Sequence, residues 1–326
     1  MKSFEYVRVS SVAEAVQLAA SRPDARLLAG GTNLVDLMKL GVEEPGLLID
    51  VRRAIETEVS PRADGGVRIG AGATNSRVAA APVVRDSYPA VSEALVSGAS
   101  AQLRNLATVG GNLLQRTRCL YFQDLAKPCN KRNAGSGCSA QDGDSRALGI
   151  LGTSAVCAAT HPSDLAVALA ALDAEVHVTG PDGDRVVPLV DLHRLPADDA
   201  SRDTVLGPAD VITAVELPPP RPGTRSRYRK VRDRASFAFA LVSVAAVVDV
   251  SDRGATDVRI ALGGVAPRPW RAVRAEEALR GAVLTERAVG AAVDLDLEAA
   301  RPLHGNAFKV TLARNLVVQT VAELAA

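Results

Sequence analysis

Aromatic side chains make up only 3% of the 326 residues, and 38 basic against 37 acidic residues leave a net charge of +1 with no long block of either sign. A nucleic-acid partner needs a basic footprint for the phosphates and, for single strands, aromatic platforms for the bases, so none is expected. Long hydrophobic runs are missing too. The stretch Ala238 to Val250 is interrupted by Ser243 and Asp249 and is shorter than the roughly 20 residues of a bilayer-spanning helix, so no membrane span is expected. The start, Met1-Lys2-Ser3-Phe4-Glu5-Tyr6, lacks the basic and then apolar regions of a secretory signal. The expectation is a chain with no signal peptide of its own, cytoplasmic, or periplasmic if exported folded with a signal-bearing partner. Two nucleotide fingerprints are also absent, the G-x-G-x-x-G turn of a Rossmann unit and the G-x-x-x-x-G-K-[ST] loop of a P-loop nucleotidase. Ser163 has no Gly-x-Ser-x-Gly elbow around it and is not read as a nucleophile. Cysteine is missing everywhere outside residues 119–157.

What is present suits a folded chain of about two domains: 47% hydrophobic residues and a mean hydropathy of +0.09 supply well-formed cores. Ser11-Val12-Ala13-Glu14 reads as a capping box ahead of an amphipathic helix. Strands over Ala25 to Ala29 and Leu47 to Val51 flank the turn Gly30-Gly31-Thr32-Asn33 and the helical run Leu34 to Lys39, an αβαβ unit. Further strands are predicted at Val67 to Ala71 and Val211 to Leu217, with a hairpin around Gly180-Pro181-Asp182-Gly183. The proline cluster Pro218 to Pro222 reads as a stiff linker. Beyond it, strands over Phe239 to Val250 and Val258 to Gly263, joined by a turn at Ser251-Asp252-Arg253-Gly254, precede three helices. The fold class is therefore α+β, with a domain at 1–219 (subdomains 1–55 and 56–219) and a second at 223–326.

Two turns, Gly30-Gly31-Thr32 and Val109-Gly110-Gly111, meet the requirement of backbone that approaches a phosphate closely at a helix start. One alone is more often a plain turn; two, each with a threonine and an asparagine nearby, favour a ligand. Cys119, Cys129, Cys138 and Cys157 are spaced C-x9-C-x8-C-x18-C within an insert at about 115–158. An iron-sulfur cluster, structural zinc, disulfides and unrelated thiols all stand as candidates. Zinc sites usually pair ligands as C-x2-4-C, and no such pair occurs, whereas a cluster accepts four thiolates from a longer loop. Lys127, Lys131, Arg132, Arg116 and Arg118 surround the thiols, either as a solvated surface or as charge that stabilises a reduced cluster. The four histidines show no ligand spacing and are read as structural; Trp270 is read as a packing anchor.

Arg26-Leu27-Leu28-Ala29-Gly30-Gly31-Thr32-Asn33-Leu34, Ala107-Thr108-Val109-Gly110-Gly111-Asn112 and Pro162-Ser163-Asp164-Leu165-Ala166 resemble the FAD-binding motifs of the flavoprotein (medium) subunit of molybdenum hydroxylases, the xanthine dehydrogenase and aldehyde oxidoreductase family. The likeness continues through Tyr228 to Arg232 and Ala261 to Pro267 and so covers nearly the whole chain. The cysteine insert is most similar to that of the bacterial periplasmic aldehyde oxidoreductases, in which this loop binds a [4Fe-4S] cluster. The resemblance implies a two-subdomain FAD-binding fold of the vanillyl-alcohol oxidase type followed by an α+β C-terminal domain. It implies that Arg26 to Leu34 (Arg26, Leu27, Leu28, Ala29, Gly30, Gly31, Thr32, Asn33, Leu34) hold the FAD diphosphate, with contacts from Thr108, Gly111, Asp164, Val215 and Lys230. It makes Cys119, Cys129, Cys138 and Cys157 the cluster ligands. Partners would be a large molybdenum-cofactor subunit, a small [2Fe-2S] subunit and an external electron acceptor, and the chain would carry electrons without a catalytic acid or base of its own. A stand-alone FAD oxidoreductase and a metal-stapled scaffold are the competing readings.

Overall fold

In a computed structural model that describes every residue except Asp198, Asp252 and Arg253, the chain builds three sheets in sequence order. The first holds β1 (Glu5–Arg8), β2 (Ala25–Leu28) and β3 (Leu47–Asp50), parallel and ordered β1-β3-β2. Parallel neighbours need crossover connections, and the helices Val12–Ser21 and Leu34–Lys39 supply them. Ser11 caps the first by accepting from the Glu14 N–H at 3.2 Å, while the Glu14 carboxylate reaches the backbone N–H of Ser10, one residue before the cap, at 2.8 Å. β1 was not foreseen: its alternating Tyr6 and Arg8 fold onto the buried Asp50 rather than onto an apolar face.

The second sheet contains β4 (Val59–Pro61), β5 (Val67–Gly70), β6 (Glu175–Gly180), β7 (Gly183–Pro188) and β8 (Val211–Leu217), antiparallel and ordered β4-β5-β8-β6-β7. Gly180 pairs with Gly183 across the two-residue turn Pro181-Asp182, and Gly183 takes a φ of +102°, which a side chain would resist. The third sheet contains β9 (Arg225–Val231), β10 (Val242–Ser251), β11 (Gly254–Gly263) and β12 (Trp270–Arg271), ordered β12-β11-β10-β9. Of the turn expected between β10 and β11, Asp252 and Arg253 lie outside the described residues.

Every residue of the helix Asp164–Ala171 is buried, because its alanines let it lie close against neighbours on both sides. Its core joins second-subdomain residues such as Ile69 and Val176 to Tyr228, Ala245, Val247 and Ala261 of the third sheet. The other face of that sheet is covered by the helices Val273–Leu279, Glu286–Leu297 and Phe308–Ala325, and Ile150 and Leu151, at the end of the cysteine insert, enter this second core. No helix among the described residues is long and apolar enough to cross a membrane.

Candidate functional site

The turn after β2 and the turn before the short helix Val109–Leu113 meet. A methyl group on Gly30 would collide with the carbonyl oxygen of Leu106 and stand 3.2 Å from the Ala107 Cα, so glycine here lets the two subdomains touch backbone to backbone. Gly31 has a φ of +72°, in the left-handed region open to glycine. The second turn is fixed on the end of β5: Val109 and Gly110 donate to the carbonyls of Ala73 and Ala71 at 3.0 and 2.9 Å, and Thr108 caps by accepting from the Gly111 N–H at 3.3 Å. All nine residues from Arg26 to Leu34, with Thr108 and Gly111, line one cleft of about 760 Å³.

Thr32, Asn33 and Gly111 also border a second cleft of about 500 Å³, which contains Asp164 and Lys230. The two openings therefore run on from each other across the glycine turns, a shape suited to an elongated ligand. Lys230 stands among Arg229 and Arg232, where sequence alone suggests a surface charge, yet only 3% of its side chain is exposed. Its ammonium donates to Asp164 at 2.6 Å and to the Ser97 carbonyl at 3.2 Å. The Tyr228 hydroxyl donates to the other Asp164 oxygen, and burial, then the neighbouring carboxylate, hold that phenol well above its ordinary range. Val215 is not brought to either cleft: it lies fully buried in β8 between Ile69 and Val176.

The four cysteines, free of disulfides, line a single cavity. Cys129 and Cys138 face each other across a two-residue bridge, and no three of the four sulfurs lie within 4.8 Å of one another. Burial pushes the Cys119 thiol up to about 11 and raises Cys157 as well, a burden that a bound metal's positive charge offsets by favouring thiolate. The loop carrying them is held by side chains: Arg132 donates to the carbonyls of Tyr121 and Phe122 at 2.5 and 2.6 Å and to that of Lys127, and Asn130 donates to Val156 at 3.0 Å.

Family models match in two blocks: the FAD binding domain in molybdopterin dehydrogenase over residues 2–220, and the CO dehydrogenase flavoprotein C-terminal domain over 226–324. The chain belongs to the FAD-binding medium-subunit family of the molybdenum hydroxylases. It is 47% identical to the aldehyde oxidoreductase FAD-binding subunit PaoB of Escherichia coli strain K12, over 99% of this chain and 98% of that one. The carbon monoxide dehydrogenase medium chain of Hydrogenophaga pseudoflava is 29% identical over 96% and 94%. A solved carbon monoxide dehydrogenase chain from the same organism superimposes with a TM-score of 0.78 at 28% identity, covering 100% and 99%. Quinoline 2-oxidoreductase from Pseudomonas putida 86 gives 0.75 at 26%, covering 100% and 98%. The α+β flavoprotein fold implied by the motifs is thus the fold observed.

The cleft of this family member fits a diphosphate-bearing cofactor. The Asn33 side-chain nitrogen is buried with no hydrogen-bond partner where the two clefts meet, a donor awaiting an acceptor. The helix start behind it also lacks a side-chain cap. Sequence reading missed the wall built by Asp203, Thr204, Gly207 and Pro208, which reaches the cleft from a loop with no motif of its own. It also missed an ion network on the cleft floor. Arg116 pairs with Glu43 at 2.7 Å and Asp203 at 2.8 Å, Arg26 with Glu43 at 3.4 Å, and Lys131 with Asp203. Burial would raise the Asp203 carboxyl, but Lys131 and Arg116 outweigh it and hold it below the usual range. Arg116 is thereby held between two carboxylates at the cleft wall, its guanidinium fixed in place. His161 and His193, read as structural, lie ring against ring at 4.1 Å, tilted by 53°, and both donate from Nε2 to the Leu113 carbonyl, at 3.3 and 2.8 Å. Each Nδ1 is left buried and unpartnered, and burial pushes His193 down to about 4.

Proposed function

We propose that this chain is the FAD- and [4Fe-4S]-carrying subunit of a molybdenum-containing aldehyde oxidoreductase complex. In it, electrons arrive from a small [2Fe-2S] subunit, fed by a large molybdenum-cofactor subunit, and leave to an external acceptor. The observation that carries the reading is the meeting of the Gly30-Gly31 and Gly110-Gly111 turns at the junction of one long cleft, with four cysteines around a separate cavity of the same chain. Its support from relatives is the 47% identity to a subunit named for FAD binding and aldehyde oxidation.

FAD, when bound, supplies one- and two-electron exchange, and an iron-sulfur cluster supplies one-electron exchange. The chain's own residues do the holding. Arg26 to Leu34 approach the diphosphate with backbone, Asn33 offers its free amide nitrogen, and Arg26 and Arg116 bring positive charge to the cleft wall. Lys230 and Asp164, a buried pair at 2.6 Å in the second cleft, present polarity to the flavin end. Cys119, Cys129, Cys138 and Cys157 ligate the cluster. No acid–base pair is required, because electron transfer needs position and potential rather than proton abstraction.

Purification with the partner subunits should give flavin absorption bands, a broad thiolate-to-iron shoulder, and both iron and molybdenum by elemental analysis. In Cys129→Ser the shoulder should bleach, while the flavin bands persist with FAD in excess. Colourless protein that releases no FAD on denaturation sinks the reading; full iron content in Cys129→Ser sinks the ligand assignment.

A further inference from the structure

The cofactor cleft and the cysteine cage are separate cavities, yet one carboxylate of the cleft bonds a lysine of the cage. Asp203 lines the cleft, accepting from Arg116 Nε at 2.8 Å on Oδ2, while its Oδ1 accepts from the ammonium of Lys131. Lys131 itself lines the cysteine cavity two positions after Cys129, is 8% exposed, and also donates to the Ala200 carbonyl at 3.1 Å. Arg116 is three residues before Cys119 and touches the glycine turn directly: its backbone N–H donates to Asn33 Oδ1 at 2.9 Å. That bond fixes which end of the Asn33 amide is left over, and the unpartnered end is the buried nitrogen at the cleft junction. An unbroken line therefore runs from the turn that would hold the diphosphate, through Asn33, Arg116 and Asp203, to Lys131 inside the cage.

We propose that Asp203 is a positioning residue that couples the two sites, so that FAD is held tightly only when the cysteine cage is assembled around its metal. The coupling rests on the reading that the cleft takes FAD and the cage takes a cluster. A metal held by all four thiols would pin the loop at one more point than its own backbone and side-chain bonds do, and so steady Lys131 against Asp203 and, through it, Arg116 against the turn. The effect is reciprocal, since coupling between two binding equilibria has one value in both directions.

The test is a cycle of FAD affinities in the complex purified with its partner subunits, deflavinated and titrated with FAD by fluorescence quenching. Cys129→Ser, which opens the cage, should weaken FAD binding about tenfold, within the ordinary range of coupling between sites. In the Asp203→Asn background, already weakened, adding Cys129→Ser should change the affinity by less than about twofold, whereas independent sites would add in full. Lys131→Met repeats the cycle from the cage side should Asp203→Asn fail to fold. An unchanged FAD affinity in Cys129→Ser, or an equal loss in both backgrounds, overturns the coupling while leaving a protein that carries both groups. Wild-type complex devoid of FAD or iron overturns the underlying reading and the coupling together.

Discussion

The glycine cleft and the cysteine cage are preorganised by opposite means. The junction of the cleft is made of backbone: Gly30 against Leu106, and Gly110 against Ala71 at the end of β5, leave no side chain at that point that could relax to change its shape. The cage is made of side chains on a loop with little regular structure, held by Arg132, Asn130 and Lys131 reaching for carbonyls and one carboxylate. A backbone site is complete once its sheets pack. The thiols of a side-chain site rest neutral, burial pushing them away from thiolate, and a bound metal would be needed to favour the charged form.

The largest effect is expected at the buried pair of the second cleft. Lys230→Met leaves the Asp164 charge 8% exposed with only Tyr228 to answer it, and breaking such a pair costs about 3–5 kcal/mol; chemical denaturation measures it, and a loss below 1 kcal/mol would show that the pair is not stabilising the cleft. Next comes acid. His193 is lowered from 6.5 to about 4, so its neutral form stabilises the fold in full above pH 6.5, and that stability drains away as pH falls toward 4. One group shifted this far contributes about 3 kcal/mol. Melting curves across this range should show the decline, and His193→Gln should lessen it, the remainder coming from His161, which burial also holds well below its ordinary value; an unchanged slope removes His193 as a cause.

Gly30→Ala separates the two regions more sharply. Its methyl group meets Leu106 backbone that cannot move aside, an overpacking penalty of about 1–3 kcal/mol. Flavin content should fall further than iron content, which changes only through the coupling between the two sites, and equal loss of both would show that the cleft also shapes the cage. Arg132→Gln is the mirror experiment: it removes the guanidinium from three carbonyls, about 1–2 kcal/mol, and iron should dissociate faster under a chelator. Iron loss at the wild-type rate would mean that the loop needs no such clamp.

The two regions also differ in how much of them could be read beforehand. The cleft's first wall is contiguous, and glycines at a strand-to-helix turn carry their own physical reason, so Arg26 to Leu34 stand out without any structure. The hairpin at Gly180 to Gly183 and the buried stretch before Val250 were legible for the same local reasons. In β9 the exposed Arg225 and Arg227 alternate with the buried Ser226 and Tyr228, a period-two pattern that marks the strand. The ion network could not be read at all: Arg116 and Lys131 lie 87 and 72 positions from Asp203, and charged residues far apart give no periodic signal. Val215 shows the converse hazard, since a position carried over by resemblance can fall in the core of a strand.

The helix Asp164–Ala171 bears on how the whole polypeptide comes apart. The proline cluster looks like a seam, but Leu165 and Leu169 share one apolar cluster with Val247 and Ala261 from beyond it. Severing the chain at Pro220 would strip cover from a helix with no polar face to show water. Neither fragment should survive such a cut as a stable product, and calorimetry of the intact polypeptide should record a single cooperative transition.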